Sequence, residues 1–96
     1  METNIIELKF EKADTRIGGF PHGEAIFENQ VKDKIDYSKK NVIIFPDQII
    51  KVASSFTQGF FSELVKEIGY EGIDQKIELR ASSEKLISDI KADLLG

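Results

Sequence analysis

Two adjacent serines, Ser54 and Ser55, stand in the stretch KVASSFTQGFF (51–61), ahead of a phenylalanine-rich run and in a chain without cysteine. Such a pair has three chemical uses: nucleophile, phosphate acceptor, or hydrogen-bonding cap on a helix. A nucleophilic serine needs a base within hydrogen-bond reach. The only histidine is His22, and no local spacing brings it to the serines. A phosphate at a helix amino terminus would meet free amide donors and the favourable end of the dipole. The plainer use is capping. Ser55-Phe56-Thr57-Gln58 has the Ser-x-x-Gln spacing of a capping box, in which the hydroxyl would satisfy one orphan donor for about 1 kcal/mol.

A second cluster lies upstream, in RIGGFPHGE (16–24). Arg16, Gly18, Gly19, His22 and Gly23 could form an anion or ligand loop, because glycines let backbone amides converge on a negative charge and Arg16 adds a positive one. The Gly-Lys-Ser or Gly-Lys-Thr ending of a P-loop is absent, and the glycine spacing is not the dinucleotide fingerprint. The alternative is that the glycines serve a turn and close packing, with His22 near a helix start and Glu24 in the first turn, where negative charge is favoured. One histidine and scattered carboxylates supply no recognisable metal-ligand spacing.

The elements that must position these residues follow from periodicity. Ile6, Leu8 and Phe10 alternate with charges, which predicts a strand over 5–10 with one buried face; as an exposed edge it could pair with another chain and make a homo-oligomer. The glycine stretch is a loop or a short strand running into one. From Glu24 onward, Phe27, Val31 and Ile35 recur every four residues, predicting an amphipathic helix that ends near Ile35. NVIIFPD is apolar on both faces over Val42 to Phe45, as expected of a central strand covered on both sides and ended by Pro46. Phe56, Phe60, Phe61, Leu64, Val65 and Ile68 share a helical spacing, with Gly69 placed to end that helix. Among its surface residues, Glu63 and Lys66 are spaced as an ordinary ion pair. KIELRA predicts a strand, and SSEKLISDIKADLL a capped helix with Leu86, Ile87, Ile90 and Leu94 inward. Helices alternating with strands imply crossover connections and a mostly parallel sheet.

Ninety-six residues with seven phenylalanines suffice for one core and not for two, so a single domain over 1–96 is expected. A net charge of −4 without a basic block argues against nucleic acid, which is bound by cations on phosphates. The longest apolar run falls far short of the ~20 residues of a membrane span, and the amino terminus METNIIELKF lacks the apolar stretch of a signal peptide. With no cysteine, a cytoplasmic location is the expectation.

The run VIIFPDQIIKVASSFTQGFFSELVKEIG, with the upstream RIGGFPHGEAIF and the downstream KIELRASSEKLISDIKADL, resembles the STAS-like domain family of unknown function. Members of that family pair a hydrophobic strand with a Ser-Phe step opening a helix, here Ser55-Phe56, and often carry a Gly-Glu step at the preceding helix, here Gly23-Glu24. More distantly, the stretch is similar to STAS domains of bacterial anti-sigma factor antagonists, in which an Asp-Ser-Ser-Gly step at the head of the second helix contains a regulatory phosphoserine. That step falls on Ala53, Ser54, Ser55 and Phe56, so the serine pair remains while alanine and phenylalanine stand for aspartate and glycine. The resemblance implies an α/β fold: one small STAS-like domain with an about four-stranded, mostly parallel sheet and three helices. It implies a non-enzymatic protein-interaction and regulatory module without a cofactor. Its partner would be an ATPase/kinase of the GHKL, anti-sigma type, meeting the surface of Ser54, Ser55, Thr57, Gln58 and Lys51. Two other readings stand beside it: a small-ligand or nucleotide sensor using the glycine loop and Arg16, and a phage or mobile-element inhibitor of a host complex.

Overall fold

Alternating apolar and charged residues at the amino terminus form the first strand. In the computed structural model, which describes residues 2–96, β1 spans Thr3–Glu7. The strand expected over 5–10 therefore begins and ends earlier. Its inward set is as expected, with Ile6 and Leu8 buried. The Leu8 N–H still donates to the Ile44 carbonyl at 2.9 Å. The ladder stops there because the side-chain amide of Gln30 takes both backbone groups of Lys9, accepting from its N–H at 2.7 Å and donating to its carbonyl at 2.8 Å.

A two-residue strand, β2 (Arg16–Ile17), precedes α1 (Phe20–Gln30). The helix starts before the expected Glu24, with Pro21 in the first turn, where its missing N–H removes no helical bond. Glu24 consequently lies beyond the first turn, which carries no acid. The helix also ends before Ile35. Turns follow, yet the Ile35 N–H reaches the Val31 carbonyl at 2.9 Å, so both residues keep packing against the core.

The remaining elements are β3 (Lys40–Ile44), β4 (Lys51–Val52), α2 (Ser54–Lys76), β5 (Ile77–Arg80) and α3 (Glu84–Leu95). α2 breaks at Gly69, whose φ of 69° and ψ of 175° belong to a region essentially reserved for glycine. The expected stop at Gly69 is real, and a further helical stretch resumes after it. In α3, Ser83 caps the helix, its side chain accepting from the Leu86 N–H at 3.1 Å.

The sheet is not four-stranded. β1, β3 and β5 form a three-stranded parallel sheet in the order β1-β3-β5, and β2 and β4 form a separate parallel pair. The extra pair exists because the segments feeding α1 and α2 run side by side past the end of the main sheet. With three helices and a Cα radius of gyration of 12.3 Å, against about 12.5 Å for a compact chain of this length, this is a compact α/β domain. Among the described residues no helix is long and apolar enough to cross a membrane.

All three helices contribute to one core on one side of the main sheet. Phe27 and Val31 of α1, Phe56, Phe60 and Leu64 of α2, and Leu86 and Ile90 of α3 cluster with Ile6, Ile43 and Leu79 of the strands. The helices α1 and α2 approach so closely that a Cβ on Gly23 would collide with the Phe56 carbonyl, and one on Gly59 with the Phe20 carbonyl. β3 is central as expected, and its two faces are covered differently. Its Val42 is buried yet belongs to no part of the core cluster, and Ile44 is only partly covered. Glu63 pairs with Lys32 at 3.4 Å rather than with Lys66, since the turn after α1 carries Lys32 to α2. Glu28 and then Glu63 hold the Lys32 ammonium above its ordinary pKa.

Candidate functional site

Parallel strands deliver their outgoing loops to one end of a sheet, and in open α/β folds ligands gather there. In this protein β2 and β4 lie at that end. The Ile50 N–H donates to the Thr15 carbonyl at 2.7 Å and the Ala53 N–H to the Ile17 carbonyl at 2.8 Å. Arg16 and Lys51 are direct partners in the ladder; both are exposed, while their neighbours Ile17 and Val52 are buried. Two cations from distant parts of the sequence thus stand side by side, just before the amino termini of α1 and α2.

The capping box expected at Ser55 does not form. α2 begins two residues earlier, with Ala53 in the cap position and no side-chain cap, and Ser55 falls inside the first turn. Its Oγ instead accepts a hydrogen bond from the Gly19 N–H at 2.9 Å. The hydroxyl therefore ties the glycine loop to α2 and leaves the first amides of α2 without a side-chain acceptor. Gly19 itself caps α1 at φ 96°.

Ser54 and Ser55 are both exposed. Ser54 shares a helix face with Gln58, whose side-chain amide donates to the Asp93 carbonyl near the end of α3. A groove of about 590 Å³ runs between the start of α2 and α3, bordered by Ile50, Lys51, Ser54, Lys85, Asp89 and Asp93. It continues into a hollow of about 570 Å³ beside Gln58 and Gly96. The α3 side of this groove was not read from the sequence. The i, i+4 spacing puts Ser54 and Gln58 on one helix face, but nothing in it indicates α3 as their neighbour. Ile50 was missed as well: Ile49 is fully buried while Ile50 is 58% exposed.

Thr57 does not belong to this surface. It is 1% exposed, because Phe60, Phe61 and Leu64 follow it at i+3, i+4 and i+7 and place it on the apolar stripe. Its Oγ1 has no hydrogen-bond partner among the described residues.

His22 does not line this groove. Its ring stands edge-on to Phe56 at 5.3 Å and to Phe10 at 6.2 Å, and its Nδ1 lies 3.3 Å from the Gly18 carbonyl. With Phe10, Glu11 and Asp14 it borders a shallow recess. The loop thus brings Gly19 to Ser55, whereas His22 is engaged by Gly18 and the aromatic rings. Gly23 is taken up by the contact between α1 and α2, the packing alternative of the sequence reading. Among the described residues, no group of three or more His, Cys, Asp or Glu side chains could hold a metal ion. A further hollow, about 190 Å³ between Phe61, Tyr70, Ile73 and Leu94, contains none of the site residues expected from sequence.

No protein-family model, curated protein or solved structure matched the chain. Fold and site together define the class: a compact α/β domain that exposes a serine pair in the first turn of α2, two adjacent cations on the β2–β4 pair, and a groove between α2 and α3.

Proposed function

We propose that the protein is a STAS-like, non-enzymatic protein-interaction and regulatory module of the cytoplasm, and that its partner is an ATPase/kinase of the anti-sigma type docking over the head of α2. The observation that carries this reading is the position of Ser54. It is an exposed hydroxyl in the first, uncapped turn of a helix, at the border of a groove floored by α2 and α3. A phosphoryl group received there from ATP would meet the free amides and the positive end of the helix dipole. Lys51 borders the same groove, and Arg16 stands beside it. Lys85, Asp89 and Asp93 offer both signs of charge to an incoming surface, which favours specificity and register. Ser55 acts by holding the loop, and Gln58 by holding α3.

The direct test is incubation with the switch-type ATPase/kinase encoded nearest the gene, followed by intact mass and site mapping. Addition of one phosphate on Ser54 supports the reading. In parallel, Ser54→Asp should weaken recovery of that partner in a pull-down. Recovery equal to wild type, together with no added phosphate, overturns it.

The pairing of Arg16 with Lys51 favours a second reading, an anion or nucleotide sensor at the same mouth. Nucleotide titration followed by amide resonances separates the two: shifts confined to 16–23 and 51–56 at millimolar nucleotide support the sensor, and an unperturbed spectrum removes it.

A further inference from the structure

Side-chain direction alternates along a strand, and partners in a parallel ladder point to the same side. The register therefore assigns the outer face of the main sheet row by row. Thr3 pairs with Lys40; Ile5 with Val42 and Glu78; Glu7 with Ile44 and Arg80. The opposite face, with Ile6, Ile43 and Leu79, carries the core and all three helices. Ile5, Val42 and Ile44 lie outside that core and the residues packed against it. Ile5 is 60% exposed. All-parallel sheets occur almost only with both faces covered. Here no helix of the core cluster lies on one face; Val42 at its centre is buried among its neighbours, Ile44 is half-buried and Ile5 is exposed, between charged edges.

We infer that this outer face is a self-association surface, and that its occupant is the same face of a second copy of this chain. The charges argue for a second copy. Glu7 and Arg80 occupy the same row on opposite edges of the sheet. A two-fold axis between two such faces, parallel to the strands, lays β1 of one copy over β5 of the other and each β3 over its counterpart. Glu7 then faces Arg80 of the second copy, and the relation occurs twice, while the half-buried Ile44 meets its equivalent and Ile5 lies over Glu78. Glu7 has no ion-pair partner among the described residues, and Arg80 is engaged through Nε by Glu78 at 3.0 Å, leaving its terminal nitrogens to donate. Lys40, which the axis would bring near its own copy, directs its ammonium to the Gln75 carbonyl at the end of α2.

The footprint sets the strength. Three strands about 4.8 Å apart and five residues at about 3.3 Å each cover roughly 240 Å², far below the ~800 Å² per partner of stable complexes. The dimer is therefore weak, reversible and concentration-dependent.

Sedimentation equilibrium and dilution-dependent amide spectra of the full chain, from micromolar to millimolar, test it. The wild type should associate with shifts on Thr3–Glu7, Lys40–Ile44 and Ile77–Arg80. Glu7→Arg alone and Arg80→Glu alone should each weaken association about tenfold, and the double reversal should recover most of the loss. Ile44→Lys, with an unchanged circular dichroism spectrum, should abolish it. Edge-to-edge pairing through β1 predicts something different, because it leaves Glu7 and Arg80 of the two copies far apart. A monomer at every concentration, or association indifferent to both charge reversals, overturns the inference.

Discussion

The N–H of Gly19 donates to the Oγ of Ser55 across 2.9 Å, joining the glycine loop to the first turn of α2 although the two residues are far apart in sequence. Ser55→Ala should remove that tie, lowering stability by about 1 kcal/mol and shifting the Gly19 amide resonance. Ser54→Ala, at an exposed position without that tie, should stay within about 0.5 kcal/mol of wild type. A urea titration of both variants checks the contrast. Equal midpoints would show that the loop is held by its packing alone.

The crossing of α1 and α2 depends on two absent side chains. Gly23→Ala would drive a methyl into the Phe56 carbonyl and toward the Phe60 nitrogen at 2.7 Å, and Gly59→Ala into the Phe20 carbonyl. The opposing atoms are backbone and cannot rotate away. Each substitution should cost about 3 kcal/mol, measurable as a lowered denaturation midpoint.

Phe60 is fully buried and touches four other rings. It stacks on Phe56 at 5.9 Å, meets Phe27 edge-on at 5.8 Å, and lies 6.0 Å from Phe45 and 5.0 Å from Phe61. Phe60→Ala should cost about 3–5 kcal/mol, since the surrounding rings relax only in part around the cavity. Chemical denaturation reads this directly, and an unchanged midpoint would contradict the packing.

Asp36 gives a pH signature. Its carboxylate accepts from the Ser38 hydroxyl at 2.6 Å and the Ser38 N–H at 2.9 Å, and these bonds, the hydroxyl first, hold its pKa below the ordinary 3.8. A lowered folded-state pKa contributes stability that is present above the unfolded value and lost as pH falls through the folded one. The stability difference between wild type and Ser38→Ala should therefore be constant above about pH 5 and shrink below it. A difference independent of pH would place the effect elsewhere.

Much of the architecture was legible because burial imposes a period on sequence. The inward sets Ile6 with Leu8, Phe56 with Phe60 and Leu64, and Leu86 with Ile90 and Leu94 were all readable, as was the central place of β3. The same rule contained the answer for Thr57, which sits on the stripe of Phe60, Phe61 and Leu64, although the resemblance placed it on the partner surface. The boundaries were less legible, because they are set by single long-range bonds. Gln30 ends β1 at Lys9. Asn41, fully buried, accepts from the Asp36 N–H and donates to the Asp36 and Lys39 carbonyls, fixing the turn before β3.

Local spacing alone determined that the chain alternates helices with parallel strands around one phenylalanine-rich core, since that follows from interactions between residues a few positions apart. Only the tertiary structure decided that Arg16 stands beside Lys51, that Ser55 holds Gly19, and that the helices leave one face of the sheet open. Those relations join residues distant in sequence, and their geometry exists only once the strands are in register and α1 has closed on α2.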